Sequence, residues 1–84
     1  MTTPVRAVVH VFLKAGVLDV QGKAVENALH GLGWAGVSGV RVGRVIEFDI
    51  AAESPLKAET AVKAMCEKLL ANPVIEGYRV EVAP

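Results

Sequence analysis

Between Val5 and Lys14 the chain alternates without interruption: Val5, Ala7, Val9, Val11 and Leu13 share one parity, and all are apolar. A period of two with one wholly apolar face specifies a β-strand laid on a core. The 3.6-residue period of a helix would scatter the same side chains around its axis. The other parity carries Arg6, Val8, His10, Phe12 and Lys14. Val8, His10 and Phe12, bracketed by charge, make a strip too apolar for ordinary solvent-facing surface and are candidates for self-association.

The period then changes. In "DVQGKAVENALHGLG", Val25, Ala28, Leu29 and Leu32 follow helical spacing, with Lys23, Glu26, Asn27 and His30 opposite. Asp19 is placed to cap the helix and Gly33 to end it in a left-handed turn. Gly22 inside the first turn weakens a helix, and close approach by another backbone is one use for a bare glycine there. From Val37 to Ile50 the parity of Val40, Val42, Ile46, Phe48 and Ile50 is apolar again, except that Arg44 falls on it. A buried guanidinium is expensive unless paired, so a bend, a bulge or a hairpin that reverses the chain is expected at Gly43. Ser54-Pro55 opens a second helix, with Ala58, Val62, Met65 and Leu69 as its stripe, and Asn72-Pro73 stops it. Val74, Tyr78, Val80 and Val82 mark a closing strand.

Strand, helix, interrupted strand, helix, strand predicts a single α+β domain over residues 1–84. Its two helices are expected on one face of a small, mostly antiparallel sheet, a two-layer sandwich of the split β-α-β type. A chain of 84 residues buries only about 60% of its extended surface. Yet 52% of its residues are apolar and 21% charged, so part of the apolar surface is expected to be covered by another chain.

Several functions are excluded or disfavoured. Nine basic and nine acidic residues cancel, which leaves no field to gather nucleic acid or an anionic membrane. No stretch approaches a membrane-spanning length and no leader pattern opens the chain, so a cytoplasmic protein is expected. Cys66 is the sole cysteine and reads as a small buried hydrophobe; it permits neither an internal disulfide nor a multi-cysteine metal site. Gly16 and Gly22 enclose five residues, not the four of a phosphate loop, and Ala24 after Lys23 offers no hydroxyl for magnesium. His10 and His30 lack partners at ligand spacing, Glu47 and Asp49 read as a solvated strand face, and Ser38 and Ser54 have no nucleophile setting. No catalytic, cofactor or metal set emerges.

Three runs carry a family resemblance: "LKAGVLDVQGKAVENALHGLG", "GVSGVRVGRVIEFDI" and "MCEKLLANPVIEGYRVEV". Together they resemble PurS, the small subunit of phosphoribosylformylglycinamidine synthase, whose markers are K-P-G-V-L-D-P-Q-G-K, V-R-V-G-K and N-x-V-I-E-x-Y. Ala15 and Val20 stand in place of proline, Arg44 in place of lysine, and Gly77 where an acid or Asn is common. The resemblance implies a non-catalytic subunit of an ATP-dependent ligase of purine biosynthesis, which makes the amidine from phosphoribosylformylglycinamide and glutamine. It implies two partners, a PurL-type synthetase subunit that binds the ATP and magnesium and a PurQ-type glutaminase subunit that releases ammonia. It also implies self-association as a homodimer or a tetramer, with no cofactor in this subunit. Asp19, Gln21, Gly22, Lys23, Arg44, Glu76 and Tyr78 become the candidates for partner contact. The alternatives are a regulatory domain that binds a metabolite at a dimer interface and, with least support, a small enzyme in its own right.

Overall fold

The computed structural model describes residues 3–83. Strand β1 (Thr3–Leu13) is followed by helix α1 (Val20–Gly31), strand β2 (Arg44–Ala52), helix α2 (Pro55–Met65), a π-helical turn (Cys66–Leu70) and strand β3 (Glu76–Ala83). The strand with the wholly apolar face takes the centre: the order is β2-β1-β3, and both neighbours run antiparallel to β1. β2 and β3 are therefore parallel to each other with β1 between them and α2 as the crossover, a split β-α-β arrangement. No helix among the described residues is long and apolar enough to cross a membrane.

Register aligns the apolar parities into rows on one face: Phe48–Ala7–Val82, Ile46–Val9–Val80 and Arg44–Val11–Tyr78. α2 lies across this face and seals its middle. Val5, Ala7, Val9 and Val11 are buried against Ala58, Val62 and Cys66, while Ile46, Phe48, Ile50, Tyr78, Val80 and Val82 at the flanks are only half-covered. One helix of this length is too narrow to cover three strands.

α2 starts as its sequence dictates. Pro55 stands in its first turn and the Ser54 hydroxyl accepts from the Lys57 N–H at 3.2 Å. Its buried stripe, however, is Ala58, Val62 and Cys66; Leu69 is 82% exposed and Met65 lies at the margin. The stripe expected through Met65 and Leu69 is thus corrected. The π turn adds a residue to the last turn and advances the phase, so that Leu70 and Ala71 meet the core. Cys66 is buried as expected, and burial pushes its thiol up.

α1 takes a different place from the one expected. It does not lie beside α2 over the sheet of its own chain but stands clear of all three strands, which gives a body of 55 × 25 × 14 Å. The cause lies in its connections: residues 39–43 run back along residues 13–19, and hydrogen bonds between these two runs carry the helix past the end of the sheet. Gly43 neither reverses the chain nor bends or bulges a longer strand, for β2 is one strand of nine residues that begins after it. A Cβ at position 43 would sit 2.5 Å from the Val11 carbonyl oxygen, so the glycine serves a close crossing.

Candidate functional site

The start of α1 is built around one carboxylate. Asp19 is buried and caps the helix, its Oδ1 accepting from the Gly22 N–H at 2.8 Å, while its Oδ2 accepts from the Val42 N–H at 2.7 Å. Those two amides, Val42 foremost and then Gly22, hold its carboxyl below the usual range. Gly22 is bare because a Cβ there would collide with the Val40 carbonyl oxygen and lie 2.7 Å from Asp19 Oδ2. The close backbone approach expected at this glycine is what the chain uses. Glu26 adds a second tie, accepting from the Val40 N–H at 3.2 Å and pairing with Lys23 at 3.4 Å.

Arg41 closes the arrangement. Its guanidinium donates to the carbonyls of Val17 (3.2 Å), Lys14 (3.3 Å) and Leu13 (3.4 Å), and its Nε lies 4.0 Å from Asp19. Sequence reasoning missed Arg41, because alternation places it on the polar parity where a solvated charge is the usual reading. Within the Asp19–Lys23 loop, Asp19 and Gly22 face inward and Gln21 and Lys23 face solvent.

A second polar knot lies at the same end of the sheet, across a shared cleft from Asp19. Arg44 pairs with Glu76 through two bonds, at 2.8 and 3.3 Å, and donates to the Leu70 carbonyl at 2.7 Å. Glu76 also accepts from the Asn72 N–H at 2.7 Å, and the Arg44 guanidinium, ahead of that amide, holds its carboxyl below the usual range. The charge that threatened the apolar parity is thus paired at the strand end, where it ties β2 to the end of the π turn. Tyr78 shares the row with Arg44 across Val11 and is half-buried, and desolvation pushes its phenol up.

The opposite face of the sheet carries the strip Val8, His10 and Phe12, flanked by Val45, which is exposed. The Phe12 ring, 46% exposed, lies over Gly77, where an added Cβ would stand 2.7 Å from its edge. His10 Nε2 is 3.5 Å from Glu81 without a hydrogen bond. Toward the other end, Arg6 lies between Glu47 and Asp49. Such exposed pairs contribute about 0–1 kcal/mol each and mark solvated surface.

Clefts of about 200 and 490 Å³ lie beside Arg44–Glu76 and along the β1–α1 loop. Their charged walls are already engaged with one another: Arg44 with Glu76, Lys23 with Glu26, Asp19 with Val42 and Arg41. Among the described residues no group of His, Cys, Asp and Glu is arranged to hold a metal. Beside these paired groups large apolar side chains are left uncovered: Leu18, Val20, Val25, Leu32 and Trp34 stand exposed along α1 and its ends. That is the profile of a surface made for other proteins.

Comparison with known proteins places the chain in a family. The profile of the PurS family, phosphoribosylformylglycinamidine (FGAM) synthase, matches residues 6–84. Phosphoribosylformylglycinamidine synthase subunit PurS of Bacillus subtilis is 51% identical over 74 residues, covering 88% of this chain and 87% of that protein. The crystal structure of Methanocaldococcus jannaschii PurS, one of the subunits of formylglycinamide ribonucleotide amidotransferase in the purine biosynthetic pathway, superposes with a TM-score of 0.85. It is 39% identical, over 94% of this chain and 95% of that one. A chain in the structure of PurLQS from Thermotoga maritima gives a TM-score of 0.87 at 32% identity, over 96% and 99% of the two chains. The chain belongs to the PurS family of phosphoribosylformylglycinamidine synthase subunits.

Proposed function

We propose that this chain is the non-catalytic subunit that holds the glutaminase and synthetase subunits of phosphoribosylformylglycinamidine synthase together while ammonia passes between them. One observation carries the reading: the polar clusters of the chain are paired internally, whereas the large apolar side chains of α1 and its tip are left to solvent. Chemistry belongs to the partners, including the ATP and magnesium bound by the synthetase subunit, and no cofactor is assigned here. Free ammonia would be protonated and diluted in water, so a scaffold that enforces proximity and shelter raises its effective concentration at the second site. The complex of a relative, PurLQS, supports the choice of partners. The reaction is placed in the cytoplasm.

Self-association is part of the same proposal. The half-covered flanks of the sheet and the uncovered α1 are complementary deficits, and α1 of a second copy lying beside α2 would supply the missing helix of the layer. A homodimer is the smallest closed form of such an exchange, and a pair of dimers meeting through Val8, His10 and Phe12 would make a tetramer.

The test is reconstitution of the three subunits. Leaving this chain out should abolish glutamine-dependent synthesis while the glutaminase and synthetase preparations stay intact. Undiminished synthesis without it would refute the reading. Calorimetric titration of the isolated chain with nucleotides and amino acids tests the rival regulatory role, which a micromolar ligand would favour.

A further inference from the structure

α1 and the tip beyond it join the sheet through two backbone runs, residues 14–19 leaving β1 and residues 39–43 entering β2. Neither run is helix or strand, so no regular ladder sets the angle between limb and sheet. Hydrogen bonds set it instead, and most come from one side chain. From the second run Arg41 reaches the carbonyls of Lys14 and Val17 in the first and of Leu13 at the end of β1, and its Nε faces Asp19. A planar fork can serve several acceptors at once in this way, whereas a lysine ammonium on a flexible stem has no such geometry. The guanidinium is half-exposed and its polar partners all lie outside the buried apolar clusters that hold the sheet and α2 together, so its bonds bear on the direction of the limb more than on the core.

We propose that Arg41 is a positioning residue for assembly: by bonding both runs it holds α1 and Trp34 at a fixed angle to the sheet, ready to meet their partners. The inference rests on the assembly role proposed above. Asp19 supports it as a second latch, because the same carboxylate that caps α1 binds the amide of Val42 next to Arg41. Without the clamp the limb samples many directions, and apparent affinity falls in proportion to the time spent in the competent one. A limb that is competent a tenth of the time binds about tenfold more weakly, with every contact surface unchanged.

The test uses the full chain with Arg41→Gln and, separately, Arg41→Lys. Trp34 is the only tryptophan, so time-resolved fluorescence anisotropy in dilute solution reports motion of the limb. Titrating each chain into glutaminase and synthetase subunits gives the concentration for half-maximal glutamine-dependent synthesis and the rate at saturation. Both variants are expected to show a larger fast component of Trp34 motion and an unchanged far-ultraviolet thermal transition. The half-maximal concentration should rise about tenfold, with the saturating rate restored. Unchanged Trp34 motion in a folded variant overturns the clamp, and if Arg41→Gln fails to fold, Arg41→Lys decides. A lowered saturating rate at an unchanged half-maximal concentration overturns positioning in favour of a role in transfer itself. A wild-type chain that fails to stimulate synthesis overturns the assembly reading and the purpose given to Arg41, and the anisotropy result separates that outcome from failure of the clamp.

Discussion

Replacing Gly22 by alanine sets helix propensity against packing. Gly22 lies in the first turn of α1, where alanine ordinarily stabilises by up to about 1 kcal/mol. Here the new methyl would be driven into the Val40 carbonyl oxygen and stand 2.7 Å from Asp19 Oδ2. A backbone oxygen cannot swing aside as a flexible side chain can. Overpacking of this kind costs about 1–3 kcal/mol, and contact with backbone argues for the upper end. The net expectation is a loss of about 1–2 kcal/mol. For a domain of this size that lowers the melting temperature by about 4–16 °C, at about 4–8 °C per kcal/mol. Gly31→Ala is the control: it lies in the same helix with nothing within 4 Å of an added Cβ, so it should gain stability. Thermal unfolding of both variants at one protein concentration, followed by far-ultraviolet circular dichroism and by Trp34 fluorescence, decides the matter. A Gly22→Ala chain as stable as wild type would mean that Val40 does not cross the helix start as described.

Three further expectations are open to measurement. Val62→Ala, at a site with no exposure, should cost about 1.5–3 kcal/mol in urea titration, whereas Leu69→Ala should change stability by under about 0.5 kcal/mol; equal losses would contradict the phase shift at the π turn. Asp19, Glu26 and Glu76 have carboxyls held below their ordinary values in the folded chain, so their contribution is complete above those values and disappears as pH falls through the folded ones. Acid titration of stability should therefore be less steep in Asp19→Asn than in wild type, and an identical slope would show that Asp19 is not engaged. Trp34→Ser at the limb tip should leave the thermal transition in place yet raise the concentration needed for half-maximal reconstitution at least fivefold, the effect of about 1 kcal/mol at an interface anchor; unchanged reconstitution would remove the tip from the contact surface.

Much of the fold was legible because local signals agreed with one another. The single-parity apolar run of β1, the Asp19 and Ser54 caps, the Asn72-Pro73 stop and the burial of Cys66 each follow from one residue type in its preferred setting. The phase of the last turn of α2 was not legible. A π insertion adds one residue without a sequence mark, and Met65 and Leu69 fit an ideal helix as well as Cys66 and Leu70 fit the real one. Nor was the place of α1, whose amphipathic pattern says that a face wants cover but not which chain supplies it. Arg41 escaped notice for a related reason: its acceptors are backbone carbonyls, which every residue carries and no sequence pattern reveals.

The ring stacked over Gly77 has an implication for how this lineage can vary. Positions 12 and 77 share one volume, so neither can be altered freely while the other stays as it is. A methyl at 77 would tip the aromatic outward and roughen the very surface on which Val8 and His10 lie, whereas a smaller residue at 12 would leave a dent in the sheet. Tolerance at this pair should be joint, with doubly substituted chains healthier than the sum of their single changes.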